Sequence, residues 1–270
     1  MEEKLLNIKN HVFKARDFLL DLIFPIECLG CTQEGSFLCS SCFKQLTINQ
    51  SQICPGCKKE NKYGDLCIDC QDKFELDGVW VAGDYNNETI QKLIKNLKYR
   101  FAYDISITLG NYLSLFLKNM LNQSQQYRIT QLNQSQIWRS IDKAKKTPRP
   151  FFDFHNNLVI PVPLSKKRLR WRGFNQAESL ARVVAEKFGL DLNSNNLIRI
   201  KHKKAQAKLN ELQRKDNIKG CFSWQGYNLE KRNIILIDDV TTTVSTLDEC
   251  ARILKQNNAG DIWGLVIARG

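Results

Sequence analysis

Four Cys-x-x-Cys pairs, Cys28/Cys31, Cys39/Cys42, Cys54/Cys57 and Cys67/Cys70, commit residues 28 to 70 to a fold built around metal. The segment holds too few apolar side chains for a core, so ligation must supply its folding energy. Each short turn sets two thiolates on one tetrahedral ion, and eight thiolates make two all-cysteine sites. Sequential sharing, with the first four on one ion and the last four on another, is the simplest arrangement; cross-braced pairing satisfies the same spacing. Iron also accepts tetrahedral thiolates, but four evenly built pairs favour zinc. With sulfur at every coordination position no site is left for substrate, so the module is expected to be scaffold or binding surface. Gly30 and Gly56 lie inside two of the turns, where positive φ is expected to aim backbone amides at sulfur. Cys221 and Cys250 stand alone and are expected to pack as small apolar groups. His11, His155 and His202 lie near none of the pairs and receive no role.

Cysteines paired for metal rather than for disulfides imply a reducing compartment, and cytoplasmic residence is the expectation. Glu2 and Glu3 open the chain, and the apolar stretch Phe18 to Ile26 is broken by Asp21 and closed by Pro25. That is neither a secretory leader nor the ~18 apolar residues of a membrane span, so no membrane insertion is expected. The formal net charge is +12, and it is uneven: residues 161 to 232 hold 17 Lys and Arg against 6 Asp and Glu. Such a field attracts polyanions, either nucleic acid or a small phosphorylated substrate; the plainer alternative is a solvated basic face.

Helical spacing of Leu5, Ile8, Val12, Phe18 and Leu22 predicts an amphipathic N-terminal helix over residues 1 to 24, followed by a double zinc ribbon over 25 to 75. From 76 onward the pattern is that of an α/β domain. A strand is expected at Val79 to Tyr85 and helices at Glu88 to Tyr99 and Asp104 to Leu121. A polar insertion around 122 to 157 follows, in which Leu-Asn-Gln-Ser-Gln occurs twice; it is expected as a loop. Strands at Leu158 to Val162, Leu197 to Ile200, Asn233 to Ile237 and Ile262 to Ala268 then alternate with helices at Gly173 to Phe188, Gln206 to Asn217 and Ser245 to Gln256. That alternation predicts a largely parallel sheet flanked by helices.

Residues 234 to 246 read Ile-Ile-Leu-Ile-Asp-Asp-Val-Thr-Thr-Thr-Val-Ser-Thr. Four apolar residues make a buried parallel strand, Asp238 and Asp239 sit at its carboxyl end, and a hydroxyl-rich turn opens the next helix. The carboxylates can accept hydrogen bonds from vicinal ribose hydroxyls or hold a magnesium hydration shell. The turn Thr242, Thr243, Val244, Ser245 and Thr246 offers amides and hydroxyls to a phosphate. Two aspartates alone also suit the magnesium site of a response-regulator or phosphatase-like fold; the threonine-rich turn separates the two. The run resembles the 5-phosphoribosyl diphosphate motif of type I phosphoribosyltransferases and departs from it at Val244, where that family has glycine. A β-branched residue is disfavoured at the positive φ that glycine allows, so the departure bears on catalysis more than on fold.

A second resemblance spans most of the chain. Phe-Pro-x-x-Cys at 24 to 28, Leu-Lys-Tyr-Arg at 97 to 100, Pro-Val-Pro-Leu at 161 to 164, Arg-Gly-Phe-Asn-Gln at 172 to 176 and Lys-x-Gln-x-x-Leu at 204 to 209 accompany the Asp-Asp motif. Together they resemble the competence protein F (ComF) family, which joins a zinc module to a phosphoribosyltransferase domain. The resemblance implies a fold of the type I phosphoribosyltransferase kind and magnesium 5-phosphoribosyl diphosphate as ligand. It also implies a diphosphate-contacting loop at Pro163, Leu164 and Ser165, a mobile basic hood at Lys201 to Arg214, and diphosphate stabilisation by Arg172 with Lys204. Two functions follow: phosphoribosyl transfer with no obvious base, or a non-catalytic part in DNA uptake, binding single-stranded DNA and other uptake proteins. Trp171 and Phe174 interleave the basic run and could stack on bases, but Phe174 as core and Trp171 as hood edge is the plainer expectation.

Overall fold

The computed structural model describes residues 25–98, 103–132, 157–200 and 217–270. The expected N-terminal helix, the three histidines and the whole basic hood with Lys204 lie outside them. The chain forms two compact units, Met1–Leu46 and Thr47–Gly270.

In the first unit the chain knuckles at Cys28–Thr32, where Thr32 N–H reaches the Cys28 carbonyl at 2.8 Å and Cys28 N–H the Gln33 carbonyl at 2.9 Å. Helix α1 (Ser40–Gln45) follows, capped by the Cys39 side chain, which accepts from Cys42 N–H. The second unit opens with the same local plan. Strands β1 (Gln52–Ile53) and β2 (Glu60–Asn61) pair antiparallel around the third cysteine pair, and a 3-10 turn at Gln71–Lys73 follows the fourth.

The body of the second unit is a five-stranded, all-parallel sheet. Its strands are β3 (Gly78–Asp84), β4 (Asn157–Pro161), β5 (Asp191–Leu192), β8 (Asn233–Thr241) and β9 (Ile262–Arg269), in the order β3-β9-β8-β4-β5. Residues Ile234 to Ile237 are fully buried, as a central strand covered on both faces requires. At about 1.5–3 kcal/mol per fully buried large apolar side chain, these four alone anchor the strand. Helix α2 (Glu88–Asn96) starts where the Asn87 side chain accepts from Ile90 N–H, and it buries Ile90, Leu93 and Ile94. Helix α3 is Tyr103–Leu132. Helix α5 (Gln176–Phe188) is capped by Asn175 and ended by Gly189 in the left-handed region. Gly110 of α3 has no side chain to hold off Val183 of α5: a Cβ there would lie 2.5 Å from Val183 Cβ. Helix α6 (Ser245–Gln256) packs Leu247, Cys250, Ala251 and Leu254 against Val79, Val81, Leu158, Ile160, Ile234 and Leu236. Cys221 joins that cluster, so both lone cysteines are core, as expected.

Three expectations are corrected. The Gln- and Ser-rich stretch expected as loop after Leu121 is helical through Leu132; it contains no glycine or proline, and a helix already nucleated propagates through glutamine at little cost. The segment at Leu197 is not in the parallel sheet: β6 (Leu197–Arg199) pairs antiparallel with β7 (Phe222–Trp224) as a separate two-stranded unit. Finally, the helix expected from Gly173 starts at Gln176. The basic run before it forms its own short helix, α4 (Lys166–Arg172), ended by Gly173 at φ 84°, a conformation glycine adopts freely.

Candidate functional site

Strand order reverses between β4 and β8, which are parallel neighbours although the chain makes β5 between them. At such a switch point the loops leaving the two strands diverge and open a crevice at the carboxyl edge. Val162 N–H still bonds to the Ile237 carbonyl at 2.9 Å, so Pro163, Leu164 and Ser165 leave β4 directly beside Asp238 and Asp239. Ser165 is buried and caps α4, its Oγ accepting from Arg168 N–H at 3.3 Å. Asn175 closes the loop from the other side, donating from Nδ2 to the Val162 carbonyl at 3.1 Å while its Oδ1 accepts from Ala177 N–H.

The two carboxylates interact directly at the end of β8. Asp239 meets Lys98, with Nζ 3.7 Å from Oδ2, while Asp238 lies within the field of Arg199 and of buried Cys250. Asp238 Oδ1 accepts from Asp239 N–H and Asp239 Oδ1 from Val240 N–H, both at 2.8 Å. One oxygen of each carboxylate is thus held by backbone. Burial, and next the charge of Asp239, push Asp238 well above the ordinary carboxylate range, against the opposing pull of the Asp239 amide and Lys98. Lys98 was not singled out for any role from its sequence context; its only signal was its place in the Leu-Lys-Tyr-Arg motif.

The turn beyond the acids is tightly organised. Thr241 Oγ1 accepts from Val244 N–H at 3.2 Å, and the hydroxyls of Thr243 and Ser245 lie 3.0 Å apart. Val244 stands at φ 61°, ψ −10°, as the residue preceding α6. It therefore keeps the left-handed backbone that a glycine would supply, despite its branched side chain, and that side chain is 1% exposed within the core. Thr242 is exposed. The turn presents the start of a 12-residue helix, where amide N–H groups and the macrodipole favour an anion.

Arg172, at the end of α4, donates from Nη1 to Gln176 Oε1 at 2.6 Å. Burial lowers its pKa, the charges of Asp239 and Asp238 raise it, and the charge of Arg168 lowers it. Asp238, Asp239, the 242 to 246 turn, the 163 to 165 loop and Arg172 thus share one edge of the sheet. Lys166 to Trp171 are all exposed, Trp171 by 65%, and Phe174 is half-buried.

The cysteines form two sequential tetrads, Cys28/Cys31/Cys39/Cys42 and Cys54/Cys57/Cys67/Cys70, with all four sulfurs of each within 4.8 Å of one another. Amides point into both: Cys39 N–H to Cys28 Sγ at 3.3 Å and Cys67 N–H to Cys54 Sγ at 3.4 Å. Burial alone would raise Cys28 and Cys54, but backbone N–H groups in each knuckle outweigh it and hold them down to about 6 and about 7. Four thiolate-capable sulfurs in a closed set suit zinc. The positive φ expected at Gly30 and Gly56 falls elsewhere, on Thr32 and Lys58, one residue after each knuckle, both at 63°. The glycines serve closeness instead: a Cβ on Gly30 would lie 2.8 Å from Cys42 Sγ, and one on Gly56 2.8 Å from Cys70 Sγ.

Helix α6 ties the second ribbon to the turn. Asp248 Oδ1 accepts from Glu75 N–H at 2.7 Å and Leu76 N–H at 3.3 Å, and Glu249 Oε1 from Gly220 N–H at 2.7 Å. No helix among the described residues is long and apolar enough to cross a membrane.

A family model described as a double zinc ribbon domain matches residues 19–71. Competence protein F of Haemophilus influenzae is 30% identical over 86% of this chain and 98% of its own length. Competence protein ComFC of Bacillus subtilis is 29% identical over 86% of this chain and 84% of its own. DNA utilization protein YhgH of Escherichia coli is 31% identical over 40% of this chain and 48% of its own.

Proposed function

Since the chain belongs to the competence protein F family, we propose that it serves in DNA uptake and binds 5-phosphoribosyl 1-diphosphate at the carboxyl edge of its sheet. One observation carries the ligand: a hydroxyl-rich turn at the start of α6, in the left-handed conformation at Val244, immediately beyond two carboxylates at the strand switch point. In this proposal Asp238 and Asp239 accept hydrogen bonds from the ribose hydroxyls, and the amides and hydroxyls of Thr242, Thr243, Val244, Ser245 and Thr246 take the 5′-phosphate. Pro163, Leu164, Ser165 and Arg172 face the diphosphate, and the family resemblance assigns Lys204, outside the described residues, to its stabilisation. Magnesium, arriving with the diphosphate, would offset its charge. Asp238 Oδ2 and Asp239 Oδ2 take no backbone bond, the latter facing Lys98 Nζ at 3.7 Å, and both fit a role in holding its hydration shell. For transfer, the chain positions the sugar and neutralises charge as the anomeric bond to diphosphate breaks; no side chain at this edge stands out as a base.

Titration calorimetry with 5-phosphoribosyl diphosphate and magnesium tests this. The parent should bind, and Asp238→Ala with Asp239→Ala should weaken binding at least tenfold. Undiminished affinity in the double variant sinks the site assignment, and a folded parent that binds nothing sinks the ligand.

The exposed Lys166 to Trp171 helix favours a second reading, a zinc-ribbon protein that binds single-stranded DNA beside a degenerate phosphoribosyl site. Cations with a free indole suit backbone neutralisation and base stacking. A labelled oligonucleotide should then bind with affinity falling steeply as salt rises, and absence of binding at low salt removes the reading.

A further inference from the structure

The second zinc ribbon reaches the hydroxylated turn from both of its sides. On one side Arg269, at the end of β9, donates from Nη2 to the Pro55 carbonyl, inside the Cys54/Cys57 knuckle, at 3.4 Å. Arg269 is paired with Thr241, the last residue of β8, and Gly270 N–H bonds to the Thr241 carbonyl at 2.9 Å. On the other side Asp248 sits one helical turn beyond Val244, its N–H on the Val244 carbonyl at 2.9 Å. Its carboxylate holds Glu75 N–H and Leu76 N–H, just beyond Cys70. The Val244 N–H on Thr241 Oγ1 spans the turn itself. These bonds form a circuit. Cys54 and Cys70 head its two arms and belong to one tetrad, so ligation there closes the circuit. A cleft of about 360 Å³ lies where the ribbon meets α6, lined by Phe74, Glu75, Ser245, Asp248 and Arg252 among others. The bonds to Asp248 thus bridge a gap that side chains do not fill. Val244 makes the circuit matter. A β-branched residue at φ 61° persists only where surrounding structure over-determines it, and amides displaced by about 1 Å lose much of their grip on a ligand.

We propose that zinc ligation at Cys54, Cys57, Cys67 and Cys70 fixes the 242 to 246 turn in its anion-binding form, with Asp248 as the positioning residue that transmits it. Anion affinity at the turn is then zinc-dependent. This rests on the reading of the turn as a phosphate site. Calorimetry on the full, zinc-loaded chain with ribose 5-phosphate as the probe tests it. Asp248→Ala should weaken binding at least fivefold while keeping its zinc. Asp248→Asn, which retains an oxygen for both N–H groups, should stay within twofold of the parent. A variant that is less stable but still folded binds as the parent does unless the site itself has moved, so this split separates positioning from stability. Cys57→Ser should match the alanine loss, and adding Asp248→Ala to it should cost less than twofold more. Full affinity in Asp248→Ala, an equal loss in Asp248→Asn, or losses from Cys57→Ser and Asp248→Ala that multiply overturns the proposal. If the parent does not bind ribose 5-phosphate, the phosphate reading of the turn falls by itself and hydrogen exchange decides the coupling. The Val244 N–H should then exchange at least tenfold faster in Asp248→Ala and near the parent rate in Asp248→Asn; an unchanged rate in the alanine variant overturns the coupling as well.

Discussion

Val244 combines two opposed effects in one residue. Its left-handed backbone carries strain of about 1–3 kcal/mol, while its buried side chain contributes about 1.5–3 kcal/mol through apolar contact. Alanine at 244 would keep the strain and lose the contact; glycine would lose both. The order of melting temperatures should therefore be Val244 and Val244→Gly close together with Val244→Ala lowest, the reverse of the usual ranking of alanine above glycine. A second residue-scale prediction concerns Asp238, whose folded pKa is raised. A carboxyl raised on folding binds its proton more tightly in the native state, so its stabilising contribution is present below the unfolded value of about 3.9 and lost as pH rises through the folded value. Asp238→Asn should raise the melting temperature at pH 7 by a few degrees, and the gain should shrink as pH falls toward 4. A gain independent of pH would show that the carboxyl is not desolvated as described.

Among the elements, the zinc knuckles and α6 carry the most specific consequences. Because sulfur stands where a Cβ would go, Gly30→Ala and Gly56→Ala should each weaken zinc retention against a chelator without altering the parallel sheet's circular dichroism. On α6, Asp248 is buried and accepts two backbone N–H groups from the end of the second ribbon. Asp248→Ala leaves both donors unsatisfied and should destabilise the Thr47–Gly270 unit by about 2 kcal/mol, read as a shift in the denaturant midpoint. The start of α6 was legible beforehand, since the change from an apolar run to hydroxyls and then to helical spacing is a local signal. The separation of α4 from α5 was not: Gly173 sits between two stretches that are each plausible as helix, and it ends α4 in the left-handed region with its N–H on the Leu169 carbonyl, while Asn175 makes one bond to Val162 across the site.

At the scale of the whole chain, the two cysteine tetrads look equivalent in spacing yet belong to different units, the first to Met1–Leu46 and the second to Thr47–Gly270. Cys57→Ser should therefore lower the melting transition of the sheet-bearing unit, whereas Cys31→Ser should leave that transition in place; calorimetry of both with zinc present distinguishes them. The module of eight cysteines, the buried strand with its paired acids, the hydroxylated turn and the α/β alternation could all be read from the chain by itself, because each is a pattern of neighbours whose chemistry is complete within a few residues. Tertiary structure alone decided that the tetrads are sequential rather than cross-braced, that β6 leaves the main sheet for a hairpin, and that β4 lies beside β8. It also decided that Lys98 meets Asp239 across 141 positions of sequence. Such meetings depend on how loops close and strands order themselves, and a charged residue brought to a site by folding carries no periodicity or spacing that marks it in advance.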